Sequence, residues 1–196
     1  MRADWEFEVG GDAPVIDALW PGFVDLRAEP ERAHELTETS QFSALARTLK
    51  KLNGQDSEVW TCKCDFWPAL EPGEFDGDEL DAPSGQCTHG AAAYIDLLPR
   101  KSDAWSNPDL VEAAARRLCA RLAGVPLNRS RADLVVRRVV FALDGADFGI
   151  TAYLTGCGAN PVDAMRALES ATVVFGNALS RDDRYNEKEP GQSTGE

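Results

Sequence analysis

The chain has 196 residues, 43% of them hydrophobic, and its formal net charge is −13. This length and composition predict one globular domain with its own apolar core. The acidic balance argues against nucleic-acid binding, because phosphate backbones are bound by basic surfaces. No apolar run approaches the roughly 20 residues that a membrane-spanning helix needs. We therefore expect neutral or basic partners and no membrane association.

Two features bear on the cellular compartment. Charged residues alternate with aromatic ones from Met1 to Glu8, whereas a secretory signal contains a continuous apolar region. The five cysteines are odd in number and show no regular disulfide spacing, which favours a reducing compartment. The sequence therefore predicts a cytoplasmic protein.

The N-terminal third of the chain predicts two short extended pieces within residues 1–30, followed by a helix. Aromatic and acidic residues alternate at the start, and a Gly-Gly pair then turns the chain. Apolar residues recur at helical spacing from Phe42 onward. This pattern predicts a helix from about Glu31 to Leu52, although the polar stretch 37–41 could divide it.

A strand is predicted from residue 58 to 66, where hydrophobic side chains occupy alternate positions. Residues 68–90 contain many prolines and glycines and predict a loop, after which a second strand is expected from Ala91 to Leu98. The alternation places on one face of the first strand the side chains of Trp60, Cys62, Cys64 and Phe66. We expect that face to be buried.

A second helix is predicted to begin at Asn107-Pro108, because Asn is a favoured cap residue and Pro is favoured at the first helical position. Gly124 is expected to end this helix. Its predicted buried stripe consists of Leu110, Ala114, Leu118 and Leu122.

The last part of the chain predicts a β-hairpin, with strands over 133–143 and 148–155, and a third helix. Asn160-Pro161 repeats the start signal of the second helix, and the third helix is expected to run to about Leu179. A β-branched run at 172–175 leaves a strand as the competing assignment. The expected buried stripe consists of Ala164, Leu168, Ala171, Phe175 and Leu179.

Together these elements predict an α+β fold, with residues 1–180 forming a single globular domain. We expect a mostly antiparallel sheet that helices cover on one face, built from helix–strand–strand units in tandem. Residues 181–196 are charged and poor in apolar residues, which predicts a disordered tail. The element order is similar to that of small acidic secretion-chaperone-like proteins. This resemblance, which is one of topology alone, implies a binding protein and a dimer.

Four residues are candidate metal ligands: Cys62, Cys64, Cys87 and His89. Two cysteines one residue apart on a strand share a face, and the later Cys-x-His pair could complete a tetrahedral zinc site. However, free cysteine is among the most frequently buried residue types, so burial as small hydrophobes fully explains the two strand cysteines. We therefore favour no metal and expect no cofactor.

Cys157 is the candidate nucleophile, because it lies between Gly156 and Gly158 just ahead of a helix start, where a thiol pKa is lowered. Activation would also require a base, and the only histidines are His34 and His89. The competing explanation is a glycine-rich turn that needs a positive φ angle.

Asp96, Arg137 and Arg138 are charged residues within apolar strands. Neighbouring residues of a strand point to opposite faces, so one of the two arginines must lie on or near the apolar side. A buried arginine needs a carboxylate partner, and Asp96 has the matching problem with the opposite charge. We expect Asp96 to pair with one of the arginines across the sheet.

Charge is also segregated along the chain. Seven arginines and one acid lie between residues 116 and 138, whereas seven acids and no base lie between 65 and 81. Such segregation could mark an anion pocket or two surfaces that meet across a dimer. The tryptophans are expected to fill the core, but Trp20, Trp67 and Trp105 would mark an interface if they are exposed.

These features favour a non-catalytic, chaperone-like binding or adaptor protein, which acts through contact with a protein partner or through self-association. Two histidines in the whole chain make histidine-based catalysis improbable. The first alternative is an enzyme or a binder of an anionic small molecule, with Arg137 or Arg138, Asp96 and Cys157 in its pocket. The second alternative is a zinc-stabilised domain.

Overall fold

The structure is a computed structural model, and it describes residues 1–17, 20–71, 73–83, 85–101, 103–140 and 147–180. The predicted tail and most of the predicted hairpin turn lie outside the described residues. In chain order, the elements are β1 (Arg2–Glu8), β2 (Ile16–Asp17), α1 (Ser43–Asn53), β3 (Val59–Leu70), β4 (His89–Pro99), α2 (Pro108–Ala123), β5 (Ser130–Val140), β6 (Phe148–Gly158) and α3 (Pro161–Ala178). None of the helices within these ranges is long and apolar enough to cross a bilayer.

The strands form a six-stranded mixed sheet with the order β1–β5–β6–β4–β3, and β2 also pairs with β5. The β3–β4, β4–β6 and β5–β6 pairs are antiparallel, whereas β1 and β2 run parallel to β5. The α+β class is therefore confirmed, but the expectation of a mostly antiparallel sheet is corrected to a mixed one. Only hairpin-linked strands must be antiparallel, and the long connection between β1 and β5 allows a parallel pair.

Both predicted Asn-Pro helix starts are confirmed. The Asn107 side chain accepts a hydrogen bond from the Leu110 amide at 3.1 Å, and Asn160 accepts one from the Asp163 amide at 3.0 Å. Each cap satisfies one backbone N–H that the helix itself leaves without a partner. The β-branched run near the C-terminus is helical and lies within α3.

The three helices pack on one face of the sheet, where they enclose the main core. The predicted stripe of α3 is buried from Ala164 to Phe175. In α2 the stripe is shifted, because Val111 and Ala115 are buried while Leu110 is 44% exposed. Eleven residues make about three turns of an α-helix, so Leu122 lies on the same side of α2 as Val111. The observed stripe is therefore straighter than the predicted one.

The first predicted helix is shorter than expected. Two 3-10 turns, Pro30–Glu35 and Thr37–Thr39, precede α1. The Thr39 hydroxyl donates hydrogen bonds to the carbonyl oxygens of Ala33 and Leu36, both at 2.8 Å. A side chain that bonds nearby backbone in this way competes with regular helix formation.

Strand β3 contains an irregularity that changes which side chains share a face. Its pairing with β4 shifts between Thr61 and Cys64, as in a β-bulge. Trp60 and Cys62 consequently lie in a small cluster away from the helices, whereas Cys64 packs against the helix-side core. The predicted single face for the four alternating residues is therefore wrong. The strand also continues through Pro68 to Leu70, which an edge strand tolerates.

Candidate functional site

The candidate site lies on the side of the sheet opposite the helices, which we call the open face. Strand alternation and the pairing register place two cross-strand rows in its centre. The first row contains Asp4, Asp133, Tyr153, Tyr94 and Asp65. The second contains Glu6, Val135, Thr151 and Asp96.

Apolar side chains cover one end of the open face. Ile16 and Phe23 pack there with Trp60 and Leu98. Gly149 leaves room for this cover, because a Cβ atom on it would lie 2.7 Å from Cδ1 of Ile16.

The loop between β3 and β4 covers the opposite end of the same face. The Phe75 ring lies against Gly90, where an added Cβ would be 2.6 Å from the ring. Leu80 of this loop is buried. A disulfide between Cys87 and Cys157, with Cα atoms 5.5 Å apart, joins the loop to β6. Between the two covered ends, Val135, Thr151 and Asp96 of the second row are buried, whereas Tyr94 and Tyr153 of the first row are half-buried.

Three aromatic rings run across neighbouring strands in the first row of the open face. The Trp67 and Tyr94 ring centroids are 5.9 Å apart, and those of Tyr94 and Tyr153 are 6.0 Å apart. The Arg137 guanidinium lies 5.7 Å from the Tyr153 ring centroid and continues the row. Trp67 is 41% exposed, so the row reaches solvent. Of the other two tryptophans expected to mark an interface if exposed, Trp20 is 36% exposed and Trp105 is buried.

Arg137 takes a carboxylate other than the predicted Asp96. Its Nε and Nη2 donate to Oε2 of Glu8 at 3.0 and 2.7 Å, and its Nη1 donates to the Tyr153 hydroxyl at 3.2 Å. Nη1 also lies 3.4 Å from Oγ1 of Thr151, which in turn donates to Oδ1 of Asp96 at 2.6 Å. Asp96 and Arg137 are thus linked through Thr151 rather than by a direct ion pair.

Asp96 is only 6% exposed although it lies on the open face. Burial raises the pKa of its carboxyl, an effect that the Thr151 hydrogen bond and the charges of Arg137 and Lys63 oppose. Burial, with a smaller contribution from Asp96, raises the pKa of Tyr94 to about 12. The centre of the open face therefore holds a carboxyl group whose ionised form is poorly solvated.

The predicted pocket residues do not converge. Cys157 is fully buried and bonded to Cys87, so it is not a free nucleophile. Arg138 is exposed and follows Arg137, so it points away from the open face. Gly156 and Gly158 lie within β6, and neither has the positive φ angle that the sequence suggested. They instead allow close packing, because Cβ atoms there would meet the α3 backbone.

The four candidate metal ligands are also separated. Cys87 is in the disulfide, and the β3 irregularity directs Cys62 and Cys64 to different clusters. Burial raises the pKa of each of these strand thiols to about 12, which disfavours the thiolate that zinc needs. In the described ranges, no group of three or more His, Cys, Asp or Glu side chains is placed to hold a metal ion.

The two charged segments meet each other within the chain. Arg131 contacts Glu79 of the β3–β4 loop at 3.0 Å and Asp133 at 2.7 Å, and Arg2 contacts Asp81 of the same loop at 2.6 Å. The Arg131–Glu79 pair thus joins the two charged segments, whereas Arg2 belongs to neither of them. The carboxylates on the open face that make no ion pair with any other described residue are Asp4, Glu6, Asp65 and Asp96.

Sequence reasoning nominated Asp96 and Arg137 but missed the aromatic row and Glu8. A signal was available for the tyrosines, because Tyr94 is two residues from Asp96 and Tyr153 is two residues from Thr151. Comparisons with protein-family models, curated proteins and solved structures give no match. We therefore infer function from the chemistry of the open face.

Proposed function

We propose that the protein is a non-catalytic binding protein that takes a segment of a partner protein on the open face. The observation that carries this proposal is the aromatic row formed by Trp67, Tyr94 and Tyr153, which lies on the side of the sheet opposite the three described helices. Trp67 is exposed and the two tyrosines are half-buried. Contiguous aromatic surface that reaches solvent is typical of interaction sites, and rigid rings lose little conformational entropy on binding.

The size of the open face fits an extended peptide. Five strands from β1 to β3 lie side by side in the sheet. At a strand spacing of about 4.8 Å, they span about 19 Å, which accommodates about six residues of extended chain. The covered ends would hold such a segment over the two central rows.

The same contacts give less support to the alternatives. An enzyme with a cysteine nucleophile would need a free thiol, and Cys157 is bonded to Cys87. An anionic ligand would need a cation without a carboxylate partner, and Arg137 is held by Glu8. The zinc-stabilised domain would need ligands that converge, and the strand cysteines belong to different clusters.

The proposal is tested with a displayed library of random twelve-residue peptides selected on the wild-type protein. We expect Trp67→Ala to weaken the selected peptides at least tenfold, because a few aromatic residues commonly carry much of the affinity of an interface. Leu110→Ala is the matched control, since Leu110 is similarly exposed but lies on α2, behind the sheet. Equal binding by both variants, or no enriched peptide, would overturn the proposal.

Self-association is separated from partner binding by sedimentation equilibrium on the same proteins. A wild-type dimer that Trp67→Ala dissociates and Leu110→Ala leaves intact would assign the open face to a second copy of the chain. A monomeric wild-type protein that binds selected peptides supports a separate partner.

A further inference from the structure

We propose that the loop between β3 and β4 is a redox-controlled cover of one end of the open face. The Cys87–Cys157 disulfide keeps this cover closed, and its reduction by a dithiol releases the loop while the rest of the fold persists. The inference goes beyond the proposed function, because it does not depend on what the open face binds.

The part of this loop that we call the strap, residues 73–83, lies across four neighbouring strands of the sheet. Its 3-10 turn, Asp78–Leu80, contacts both β5 and β6. The side-chain contacts are Phe75 on Gly90 of β4, Glu79 with Arg131 of β5 and Asp81 with Arg2 of β1. Just beyond the strap, the disulfide adds a covalent link to β6.

The strap contacts two cross-strand rows of the open face. Gly90 and Cys157 are paired in the first row, and Cys157 is fully buried although it points away from the helices. The second row consists of Ala92, Thr155, Arg131 and Arg2. Release of the strap would uncover both rows and extend the accessible part of the open face towards this end.

The disulfide holds the strap through close packing at Gly77, where an added Cβ would lie 2.9 Å from Cβ of Cys87. After the strap, the chain next bonds to the sheet backbone at Thr88, whose amide donates to the Gly158 carbonyl at 3.0 Å. Without the disulfide, the loop would have described backbone bonds to the sheet only where β3 ends and at Thr88. Closing the strap would then cost more conformational entropy.

The noncovalent contacts of the strap are few. The Leu80 amide donates to the Gly77 carbonyl at 3.2 Å within the strap itself, and no backbone hydrogen bond joins residues 73–83 to the sheet within the described ranges. Glu79 and Asp81 are exposed, and ion pairs of exposed side chains contribute little to stability. A segment held in this way opens locally at a small cost in free energy.

Opening of the strap leaves the apolar core unchanged. Phe75 and Leu80 are the large hydrophobic residues of the strap, and neither belongs to the helix-side core or to the cluster around Trp60. The burial of Leu80 favours the closed strap, but the sheet and helices keep their core contacts when the strap is open. We therefore expect local opening rather than unfolding.

The two sulfur atoms differ in their access to a reductant. Cys87 is half-buried and lines an open groove with Phe75, Asp76 and Thr88, whereas Cys157 is fully buried. A thiolate of the dithiol therefore attacks Sγ of Cys87, the S–S bond breaks, and Cys157 leaves as a thiolate.

The second thiol of the reductant completes the reaction. Its thiolate attacks the reductant's own sulfur in the mixed disulfide, so that Cys87 leaves as a thiolate and the reductant becomes a cyclic disulfide. Two electrons pass to the protein, and the two protons that the dithiol loses reach the two cysteines through solvent.

The first experiment treats the folded, full-length protein with dithiothreitol and counts free thiols with time. We expect reduction of the disulfide without denaturant, and at most about tenfold faster reduction in urea, because Cys87 is accessible in the folded state. A disulfide that is reduced only in urea would overturn the inference.

The second experiment uses Cys87→Ser, which frees Cys157 without reductant and leaves a side chain of similar size. An uncharged maleimide labels the folded variant, and the rate at each cysteine is compared with its own rate in urea. We expect Cys157 to react within about tenfold of its rate in urea, because the open strap exposes it. Cys62 is buried in the apolar cluster around Trp60 and should react at least a hundredfold more slowly than in urea.

Cys119→Ser is the matched control, because it removes a free thiol from α2 and leaves the disulfide in place. Cys157 should not react in this variant without reductant. If Cys157 is as slow as Cys62 in Cys87→Ser, the strap stays closed without the disulfide and the inference is wrong.

Fast labelling of Cys62 in Cys87→Ser would show that the variant is unfolded, and the dithiothreitol-reduced wild type then decides by the same comparison. Fast labelling of Cys62 there as well would make the disulfide a requirement for the whole fold and would also overturn the inference. No ligand takes part in these measurements, so their failure leaves the peptide-binding proposal standing, and an absence of selected peptides leaves this inference standing.

Discussion

At the residue scale, the ionisation of Asp96, a residue of the open face, affects the stability of the folded protein. Burial raises its pKa in the folded protein above the unfolded value, so the folded state keeps the proton to higher pH. The stability that this group contributes is complete below the unfolded pKa and is lost as pH rises through the folded pKa. Above the folded pKa, the ionised carboxylate is therefore a cost to the fold.

We predict that Asp96→Asn is more stable than the wild type near pH 7, by about 1 kcal/mol, the scale of an ordinary single substitution. The difference should shrink as pH falls through the raised pKa, because the wild-type carboxyl then becomes neutral as well. Urea unfolding over a pH series measures both effects. A variant that is less stable at pH 7 would mean that Thr151 and Arg137 compensate the charge fully.

The sequence indicates that Asp96 and Arg137 need partners, but the correct partners cannot be identified from it. Arg137 pairs with Glu8 because β1 lies beside β5, and this parallel contact joins strands that are far apart in the chain. Thr151 is an ordinary strand residue whose role follows only from the β4–β6 register. Charge in an apolar strand is visible in a sequence, whereas its partner depends on strand order.

At the element scale, β3 shows what the alternation of hydrophobic residues can and cannot predict. The strand itself was predicted because hydrophobic residues recur at every second position. The shift between Thr61 and Cys64 then moves the later residues to the other face without interrupting that pattern. The sequence of such a segment does not show where a β-bulge inserts an extra residue into the pairing. The location of Cys62 and Cys64 in separate clusters therefore could not be predicted.

The packing of α3 on β6 gives a prediction at this scale. A Cβ at Gly156 would lie 2.2 Å from the Leu168 amide nitrogen and 2.8 Å from its Cα, both backbone atoms. We expect Gly156→Ala to destabilise the protein by about 3 kcal/mol or to prevent folding, because the whole helix must move away from the sheet. Urea unfolding midpoints measure the loss.

Gly11→Ala is the control for this substitution, since an added Cβ there has no atom within 4 Å. Its effect should stay within about 0.5 kcal/mol. If Gly156→Ala proves equally mild, α3 does not approach β6 as closely as the geometry indicates.

At the scale of the whole molecule, the two helix–strand–strand units were predictable and the open face was not. The units join where β4 pairs with β6, which leaves their helices on one side of the sheet. The other side receives residues from five strands and from two covering segments distant in the chain. Strand order decides which residues meet on such a surface, and strand order cannot be predicted from local hydrophobic periodicity.

The Cys87–Cys157 disulfide was also missed, because its two cysteines lie 70 residues apart and come together only in the folded sheet. Its presence removes the cysteine argument for a reducing compartment, and the cytoplasmic location stays a prediction. It also fixes the β3–β4 loop at one end of the open face. The stability of that end should therefore depend on redox conditions.

We predict that dithiothreitol lowers the free energy of unfolding of the wild type by about 4 kcal/mol, the chain-entropy value for a closed loop of this length. Cys87→Ser should lose a similar amount and should then be insensitive to the reductant. Thiol titration of the unfolded wild type should find Cys62, Cys64 and Cys119 before reduction, and Cys87 and Cys157 as well after it. Five reactive thiols without reductant, together with unfolding that dithiothreitol leaves unchanged, would mean that the loop is held by its apolar and ionic contacts alone.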